Sequence, residues 1–235
     1  MSVKKKIKVG ILGCRAIGSR MALSIKGELK GIAVVSAIFD IRADRAKKLA
    51  KNFSRGRIIK RSFEELVKSC DLMVEAVNAQ DTQQLIRQAI RAKKDVLVMS
   101  VGKLLGANDI FKLALKNRCR LLVPSGAIAG IDAIKAASQR KISKITLTTR
   151  KPTFGFFQNA YITNQHIDLA KIKSETVLFE GDVKTAVQFF PQNINVAATI
   201  ALASLAGDKL RIRIITSPEY KINVHEIEVV GDFGR

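Results

Sequence analysis

The strongest constraint on this chain is a glycine turn near its amino terminus, set between an apolar run and a helical pattern. The run Ile7–Leu12 meets Gly13, and Gly18 is followed by apolar positions at helical spacing, among them Ala22 and Ile25. Strand, glycine turn and helix in this order are typical of a dinucleotide site. In such a site a diphosphate contacts backbone N–H groups at the helix N-terminus, where the helix dipole also favours negative charge.

An acidic residue follows at the spacing expected of a ribose-binding carboxylate. A second apolar run, Ile32–Phe39, ends in Asp40, which stands 22 residues after Gly18. A carboxylate there can accept hydrogen bonds from a ribose diol, which favours NAD. Arg42 comes two residues later, close enough to meet a 2′-phosphate, so NADP stays open.

One position of the turn departs from the glycine fingerprint. The fingerprint has glycine two residues after Gly13, where backbone approaches the diphosphate, and this chain has Arg15. The Cβ of Arg15 would crowd that approach, although its guanidinium could reach a phosphate oxygen. The alternative is an ordinary strand-to-helix turn. The predicted cofactor-contacting residues of the turn are Gly13, Arg15, Ala16, Ile17 and Gly18.

Composition indicates a globular protein of one large domain or two small ones. Of 235 residues, 47% are hydrophobic, and no apolar stretch is long enough to span a bilayer. With 41 basic and 20 acidic residues the formal net charge is +21. The basic residues are spread along the chain with few aromatics among them, so we expect a solvated basic surface, no specific nucleic-acid binding and no membrane partner.

Cysteine usage bears on the compartment. Cys14, Cys70 and Cys119 are scattered and odd in number, which predicts neither a metal site nor a disulfide framework. No uninterrupted apolar signal core follows the basic amino terminus. We therefore expect a cytoplasmic protein in a reducing environment.

Strands and helices alternate through the first half, which predicts an α/β fold with a Rossmann-type, doubly wound parallel sheet. Ser62 with Glu65 forms a candidate capping box, and Asn108 is a candidate helix cap. The predicted strands are Ile7–Leu12, Ile32–Phe39, Ile58–Ile59, Asp71–Val77, Asp95–Ser100 and Arg120–Val123. Such sheets bind ligands beyond the carboxyl ends of their strands, here including Asn78, Ser100–Lys103 and Pro124–Gly130.

The pattern changes in the second half, where strands follow one another without a helix between each pair. This predicts a smaller α+β domain with a mixed or antiparallel sheet and helices on one face. We expect a dinucleotide-binding domain over 1–130 and a substrate domain over 131–235. The predicted strands are Lys144–Thr149, Thr176–Phe179, Arg211–Ile215 and Ile222–Val230, with a long irregular connection over Thr153–Ser174, a helix capped by Asp182 and ended by Pro191, and another over Asn193–Ala206.

Two features of the second half could carry chemistry. In the last strand His225 shares a face with apolar neighbours and points toward a core or a cleft, where a hydrogen-bonded core histidine is the ordinary alternative. Asn193 and Asn195 stand at a helix start, and the cap needs only one of them. The other would be free to bind a ligand.

Several stretches together resemble the L-aspartate dehydrogenase family, in the right order and over nearly the whole chain. They are Pro124–Asp132, Thr149–Pro152, Val177–Gly181, Phe190–Ala198, Asn223–Ile227 and Gly231–Gly234. The resemblance implies a homodimer that interconverts L-aspartate and iminoaspartate, hence oxaloacetate and ammonia, with NAD or NADP. It also implies a link to the making of the nicotinamide ring. By match to the family's motifs, His225 is catalytic, and Ala129 and Asn195 contact the cofactor.

The substrate's two carboxylates need cations or N–H donors, and Arg150, Lys151 and Lys103 are the candidates. Two departures from the family affect these expectations: Arg15 replaces a glycine, and the chain stops at Arg235, where the family continues. We therefore expect weaker cofactor binding than in an intact member. A non-catalytic dinucleotide-binding descendant is the alternative function, and a related amine or polyol dehydrogenase is the alternative enzyme.

Overall fold

The chain folds as two compact units, Met1–Pro124 and Ser125–Arg235. The computed structural model describes residues 5–53, 58–77, 79–190 and 194–235. The predicted ligand position Asn78, the predicted break at Pro191 and the candidate cap Asn193 lie outside the described residues. The boundary predicted from the sequence follows Gly130, whereas the two compact units divide after Pro124. The small-residue stretch after Pro124 therefore belongs to the second unit.

The first unit contains a five-stranded sheet in which every pairing is parallel. Its strands, in the spatial order β2-β1-β3-β4-β5, are β1 (Ile7–Leu12), β2 (Ala33–Phe39), β3 (Leu72–Glu75), β4 (Asp95–Val98) and β5 (Leu121–Leu122). The helices are α1 (Ala16–Gly27), α2 (Ala43–Ala50), α3 (Phe63–Lys68), α4 (Thr82–Arg91) and α5 (Asn108–Asn117). The predicted Rossmann-type α/β architecture is confirmed, except that the strand expected at Ile58–Ile59 is a single bridge between Ile38 and Ile59.

The strand order places a topological switch beside β1. Strand β2 lies on one side of β1 and β3 on the other, so the connections leave β1 in opposite directions. In doubly wound sheets this point opens a crevice at the carboxyl ends of the strands, where ligands bind. Apolar side chains of β1 and α1, including Ile11, Ala22 and Ile25, are buried in the core and hold the two elements together.

Of the helix caps predicted at Ser62, Asn108 and Asp182, the first and the last are confirmed. Ser62 Oγ accepts from the backbone N–H of Glu65 at 3.2 Å, and Asp182 accepts from that of Thr185 at 2.8 Å. The cap predicted at Asn108 is wrong, because α5 begins at Asn108 and Ala107 is the cap residue, without a side-chain bond. A 3₁₀ turn over Val101–Leu104 leads almost directly into the helix and shifts its start by one residue.

The second unit contains a four-stranded sheet in the order β7-β8-β6-β9. Its strands are β6 (Ile142–Pro152), β7 (Thr176–Asp182), β8 (Leu210–Ser217) and β9 (Val224–Gly231), and its helices are α6 (Ile131–Ala137), α7 (Ala160–Asn164), α8 (Val183–Phe189) and α9 (Ile194–Ser204). Strands β6 and β8 pair in parallel while the other pairs are antiparallel, so the sheet is mixed, as predicted.

The predicted strands of the second unit are found with different ends, and β7 continues past Phe179 to Asp182. Strand β6 continues from Thr149 to Pro152, because Ile145–Pro152 pairs with β8 without interruption. The connection Thr153–Ser174 is not irregular throughout: it contains α7 and two 3₁₀ turns. Asn159 starts α7 by accepting from the backbone N–H groups of Tyr161 and Ile162.

The caps give a stability test with an internal control. We expect Ser62→Ala to lower the free energy of unfolding by about 1 kcal/mol, since it removes a real cap bond. Asn108→Ala should change it by less than about 0.5 kcal/mol, because that side chain caps nothing. Urea unfolding followed by circular dichroism measures both, and equal losses in the two variants would contradict the assignment.

Candidate functional site

The glycine turn depends on glycine at both of its ends. Gly13 has φ +93°, and a Cβ there would lie 2.5 Å from the carbonyl oxygen of Ala76. A Cβ on Gly18 would lie 1.8 Å from the carbonyl oxygen of Gly13. Both distances are far below van der Waals contact, so the backbones of β1, β3 and α1 meet here as only glycine allows.

The N-terminus of α1 is open to an external anion. Arg15 is its cap residue and supplies no side-chain cap bond, and the first turn carries no acidic residue. Arg15, Ala16 and Ile17 are exposed. The backbone of Arg15 is extended, with φ −81°, so this position does not require glycine for conformational reasons.

Asp40 lies against the turn, where the sequence placed it. Its nearly buried carboxylate accepts from the backbone N–H of Cys14 at 2.7 Å and from that of Arg42 at 2.9 Å. The Arg45 guanidinium lies 3.9 Å away. The carboxylate therefore joins the end of β2 to the turn after β1. The side chain of Arg42 is exposed beside Asp44, at 3.5 Å.

Cys14 sits within the turn as a structural thiol. Burial, followed by the charge of Asp40, raises its pKa to about 12. A thiol with that pKa stays protonated at neutral pH, so Cys14 supplies no nucleophile. The ligand-facing chemistry of the turn therefore comes from its backbone N–H groups.

These features fit a dinucleotide. Two glycines allow the close approach, the helix N-terminus offers N–H donors, and an acidic residue ends the second strand. They define the first unit as a nucleotide-binding domain of the Rossmann class. Lys103 lies on the 3₁₀ turn that follows β4, also at the carboxyl edge of this sheet, and its carbonyl oxygen accepts from Gln83 Nε2 at 2.8 Å.

In the second unit His225 is held by a buried threonine. It lies on β9 opposite Thr149 of β6, and His225 Nδ1 is 3.0 Å from Thr149 Oγ1. Burial lowers the pKa of His225 below its ordinary value, and the charge of Lys151 lowers it further. Both effects favour the neutral imidazole, and the threonine sets the orientation of its ring.

Lys151 and Arg150 point to opposite faces of the sheet. Strand alternation places Lys151 on the face of Thr149 and His225, and burial lowers the pKa of Lys151. It also lines a cavity of about 480 Å³, a volume typical of small-molecule sites. Arg150 is bound on the other face by Glu226 at 2.6 Å and by Glu175 at 3.6 Å. Of these two neighbours on β6, Lys151 is therefore the one on the face of His225.

The two remaining predicted residues lie at the starts of helices in the second unit. Ala129 is exposed and precedes Gly130, the left-handed cap residue of α6. Asn195 is exposed in the first turn of α9, where its carbonyl oxygen accepts from Thr199 Oγ1 at 2.9 Å. Helices α6 and α9 pack against each other, which brings the two positions to neighbouring elements.

Two residues of the structure were not predicted from the sequence. Thr149 lies within a family motif but was not paired with His225, although strand alternation suggests the pair once β6 and β9 are aligned. Glu75, which is completely buried at the end of β3, was assigned no role. The signal was a carboxylate inside an otherwise apolar strand.

Comparisons with known proteins agree with this architecture. A family model described as "Homoserine dehydrogenase, NAD binding domain" matches residues 13–124, and "Aspartate dehydrogenase, C-terminal" matches residues 132–235. L-aspartate dehydrogenase of Methanosarcina mazei is 40% identical over 97% of this chain and 85% of its own length. That of Methanococcus maripaludis strain C6 / ATCC BAA-1332 is 39% identical, with the same coverage.

Solved structures show the same fold. Aspartate dehydrogenase of Thermotoga maritima superposes with a TM-score of 0.72 at 22% identity, over 98% of this chain and 87% of that one. The WlbA dehydrogenase of Bordetella pertussis, solved with NADH and UDP-GlcNAcA, gives 0.60 at 13% identity, over 97% and 78%. The chain thus belongs to the L-aspartate dehydrogenase family, one of NAD(P)-dependent amino-acid dehydrogenases.

Helix α1 contains a matched pair of glycines that tests the turn. Gly18→Ala should lower the free energy of unfolding by about 1–3 kcal/mol and weaken NADH binding, because its methyl group overlaps Gly13. Gly27→Ala meets nothing within 4 Å and should leave NADH binding unchanged. Thermal unfolding and NADH fluorescence measure both. Intact binding in Gly18→Ala would contradict the close approach.

The pKa of His225 gives a second test. Proton NMR should place its titration below 6.5, and Lys151→Met should raise it, since removing a nearby positive charge makes the imidazolium less unfavourable. Lys144→Met, an exposed lysine of the same strand, should leave it unchanged. His166→Asn identifies the resonances. A titration unaffected by Lys151→Met would show that the two groups do not interact.

Proposed function

We propose that this protein catalyses the reversible, NAD(P)-dependent oxidative deamination of L-aspartate to iminoaspartate, which water converts to oxaloacetate and ammonia. The observation that carries the proposal is the His225 site: a neutral imidazole, oriented by Thr149 and adjacent to the Lys151 ammonium. A general base and a carboxylate-binding cation are the two groups that amino-acid oxidation needs from the protein.

The first unit would bind most of the cofactor. Backbone N–H groups at the start of α1 would receive the diphosphate, and Asp40 would accept from a ribose hydroxyl. The proposed contacts are Gly13, Arg15, Ala16, Ile17, Gly18, Asp40 and Arg42, with Ala129 and Asn195 from the second unit. Exposed Arg42 suits a 2′-phosphate and Asp40 a free diol, so either NAD or NADP fits. When bound, the cofactor supplies the hydride acceptor for the Cα hydrogen of aspartate.

His225 would transfer the protons, first as general base and then as general acid. With Nδ1–H donated to Thr149 Oγ1, the free Nε2 takes a proton from the substrate ammonium. The substrate nitrogen then has a lone pair when hydride leaves Cα. His225 Nε2 next assists the addition of water to the imine carbon and returns a proton to the departing ammonia. The lowered pKa keeps the imidazole unprotonated for the first of these steps.

Lys151 is the preferred ligand for a substrate carboxylate, because it lies on the face of His225 and lines a cavity of the second unit. Lys103, at the carboxyl edge of the first sheet, is proposed for the other carboxylate. Arg150 stays a weaker candidate, since Glu226 and Glu175 bind its guanidinium on the opposite face.

Family resemblance and chemistry support three further statements. We infer a homodimer, a cytoplasmic location and a role in supplying iminoaspartate for the nicotinamide ring. Cys14, Cys70 and Cys119 are free thiols, which suits a reducing compartment. Among the described residues, no helix is both long and apolar enough to cross a bilayer. Analytical ultracentrifugation tests the dimer.

Aspartate-dependent reduction of NAD tests the activity. His225→Asn should lower kcat by about 10²- to 10⁴-fold, the usual contribution of a general base, while NADH still binds. His166→Asn, at an exposed histidine with φ +52° that asparagine tolerates, is the control and should retain full activity. Binding of NADH or NADPH without turnover of any amino acid or 2-oxo acid would favour the non-catalytic alternative, and absence of binding to either cofactor would contradict both.

A further inference from the structure

Glu75 is a completely buried carboxyl group that the proposed chemistry does not use. It is the last residue of β3, and burial raises its pKa. Its Oε1 accepts from the backbone N–H of Val77 at 2.8 Å, and its Oε2 accepts from that of Ser100 at 3.0 Å. Among the residues that the structure describes, no basic side chain forms an ion pair with it.

These hydrogen bonds connect the ends of two neighbouring strands. Val77 follows β3 and Ser100 follows β4, so the side chain of Glu75 bridges the C-terminal ends of these two strands. The Ser100 hydroxyl strengthens the connection, since it lies 2.9 Å from Glu75 Oε1 and also contacts the carbonyl oxygen of Val77. A buried polar group satisfied in this way fixes the backbone around it.

The segment that Glu75 holds is the one that packs against the glycine turn. Ala76, between Glu75 and Val77, donates its N–H to the Leu12 carbonyl at 2.8 Å. Its own carbonyl oxygen occupies the space that a Cβ on Gly13 would need. A shift of Ala76 would therefore be transmitted directly to Gly13, at the switch point between β1 and β3.

The geometry requires an acceptor oxygen at both terminal positions of the Glu75 side chain. Each of the two backbone N–H groups faces a different oxygen of Glu75. A glutamine could satisfy only one of them, because either orientation of its amide turns NH₂ toward the other N–H. A buried N–H facing another donor is strongly unfavourable, so the backbone would move.

We propose that Glu75 is a positioning residue for cofactor binding: it clamps the ends of β3 and β4 and so holds Ala76 and Val77 against the glycine turn. Glu75 does not itself contact the cofactor in this proposal. The inference rests on the proposed function, because it assigns Glu75 to the same dinucleotide site.

Glu75→Gln tests the proposal against a matched carboxylate on the same sheet. Asp95 stands at the start of β4, at the N-terminal ends of the strands and so away from the glycine turn. Its Oδ1 accepts from the backbone N–H of Arg120 at 2.7 Å. We expect Glu75→Gln to raise the KM for NADH about tenfold, with kcat and the KM for oxaloacetate within about twofold of wild type. Asp95→Asn should lower the melting temperature but leave the KM for NADH unchanged.

Three outcomes would overturn the proposal: an unchanged KM for NADH in Glu75→Gln, an equal rise in Asp95→Asn, or equal effects on both substrates. If Glu75→Gln does not fold, Ser100→Ala decides, since it removes only the hydroxyl. We expect a rise of about threefold in the KM for NADH, and an unchanged value contradicts the clamp. A wild type that binds neither NADH nor NADPH would refute the proposed function and this inference together, whereas wild-type binding with unaffected variants refutes only the role of Glu75.

Discussion

The contact between Gly18 and the carbonyl of Gly13 is the constraint on which the first unit depends. It brings the start of α1 onto the end of β1 at a distance that no side chain permits. The open N-terminus of α1 and the proximity of Asp40 both follow from that approach. Arg15 leaves it intact, because the chain is extended at this position and its side chain lies at the surface. The substitution therefore changes what a ligand meets rather than how the turn folds.

Two buried carboxyl groups organise the backbone around this contact in the same way. Asp40, at the end of β2, accepts from the N–H of Cys14, and Glu75, at the end of β3, accepts from that of Val77. Each binds backbone donors that a loop would otherwise leave unpaired beside a crevice. Carboxyl oxygens suit this task because one group can accept from two directions. Both acidic residues therefore have a structural role, and Asp40 is the one that we also propose as a cofactor ligand.

Much of the architecture was predictable, because the local periodicity of apolar residues determines it. The bounds of β1 and the cap at Ser62 need only neighbouring residues, and both were predicted. The errors arose where tertiary context decides: the 3₁₀ turn before α5 moved the cap from Asn108 to Ala107. Glu75 could not be interpreted, because its partner Ser100 is adjacent only through the pairing of β3 with β4.

The candidate site shows the same division. Motif resemblance selected His225, but its partner depends on the register between β6 and β9, which no local pattern specifies. Arg150 and Lys151 were grouped as candidate ligands because they are adjacent and basic. In a strand, adjacency separates side chains instead, and the strand had been expected to end at Thr149. Its continuation to Pro152 puts the two cations on opposite faces.

The position of His225 also suits the role of base and then acid that we propose for it. Strand β9 lies at the edge of its sheet, so the ring is only partly withdrawn from solvent. Full burial would fix one protonation state, whereas full exposure would leave the pKa without influence from Lys151. Partial burial lowers the pKa of His225 while the ring keeps contact with solvent, and the bond to Thr149 fixes its orientation.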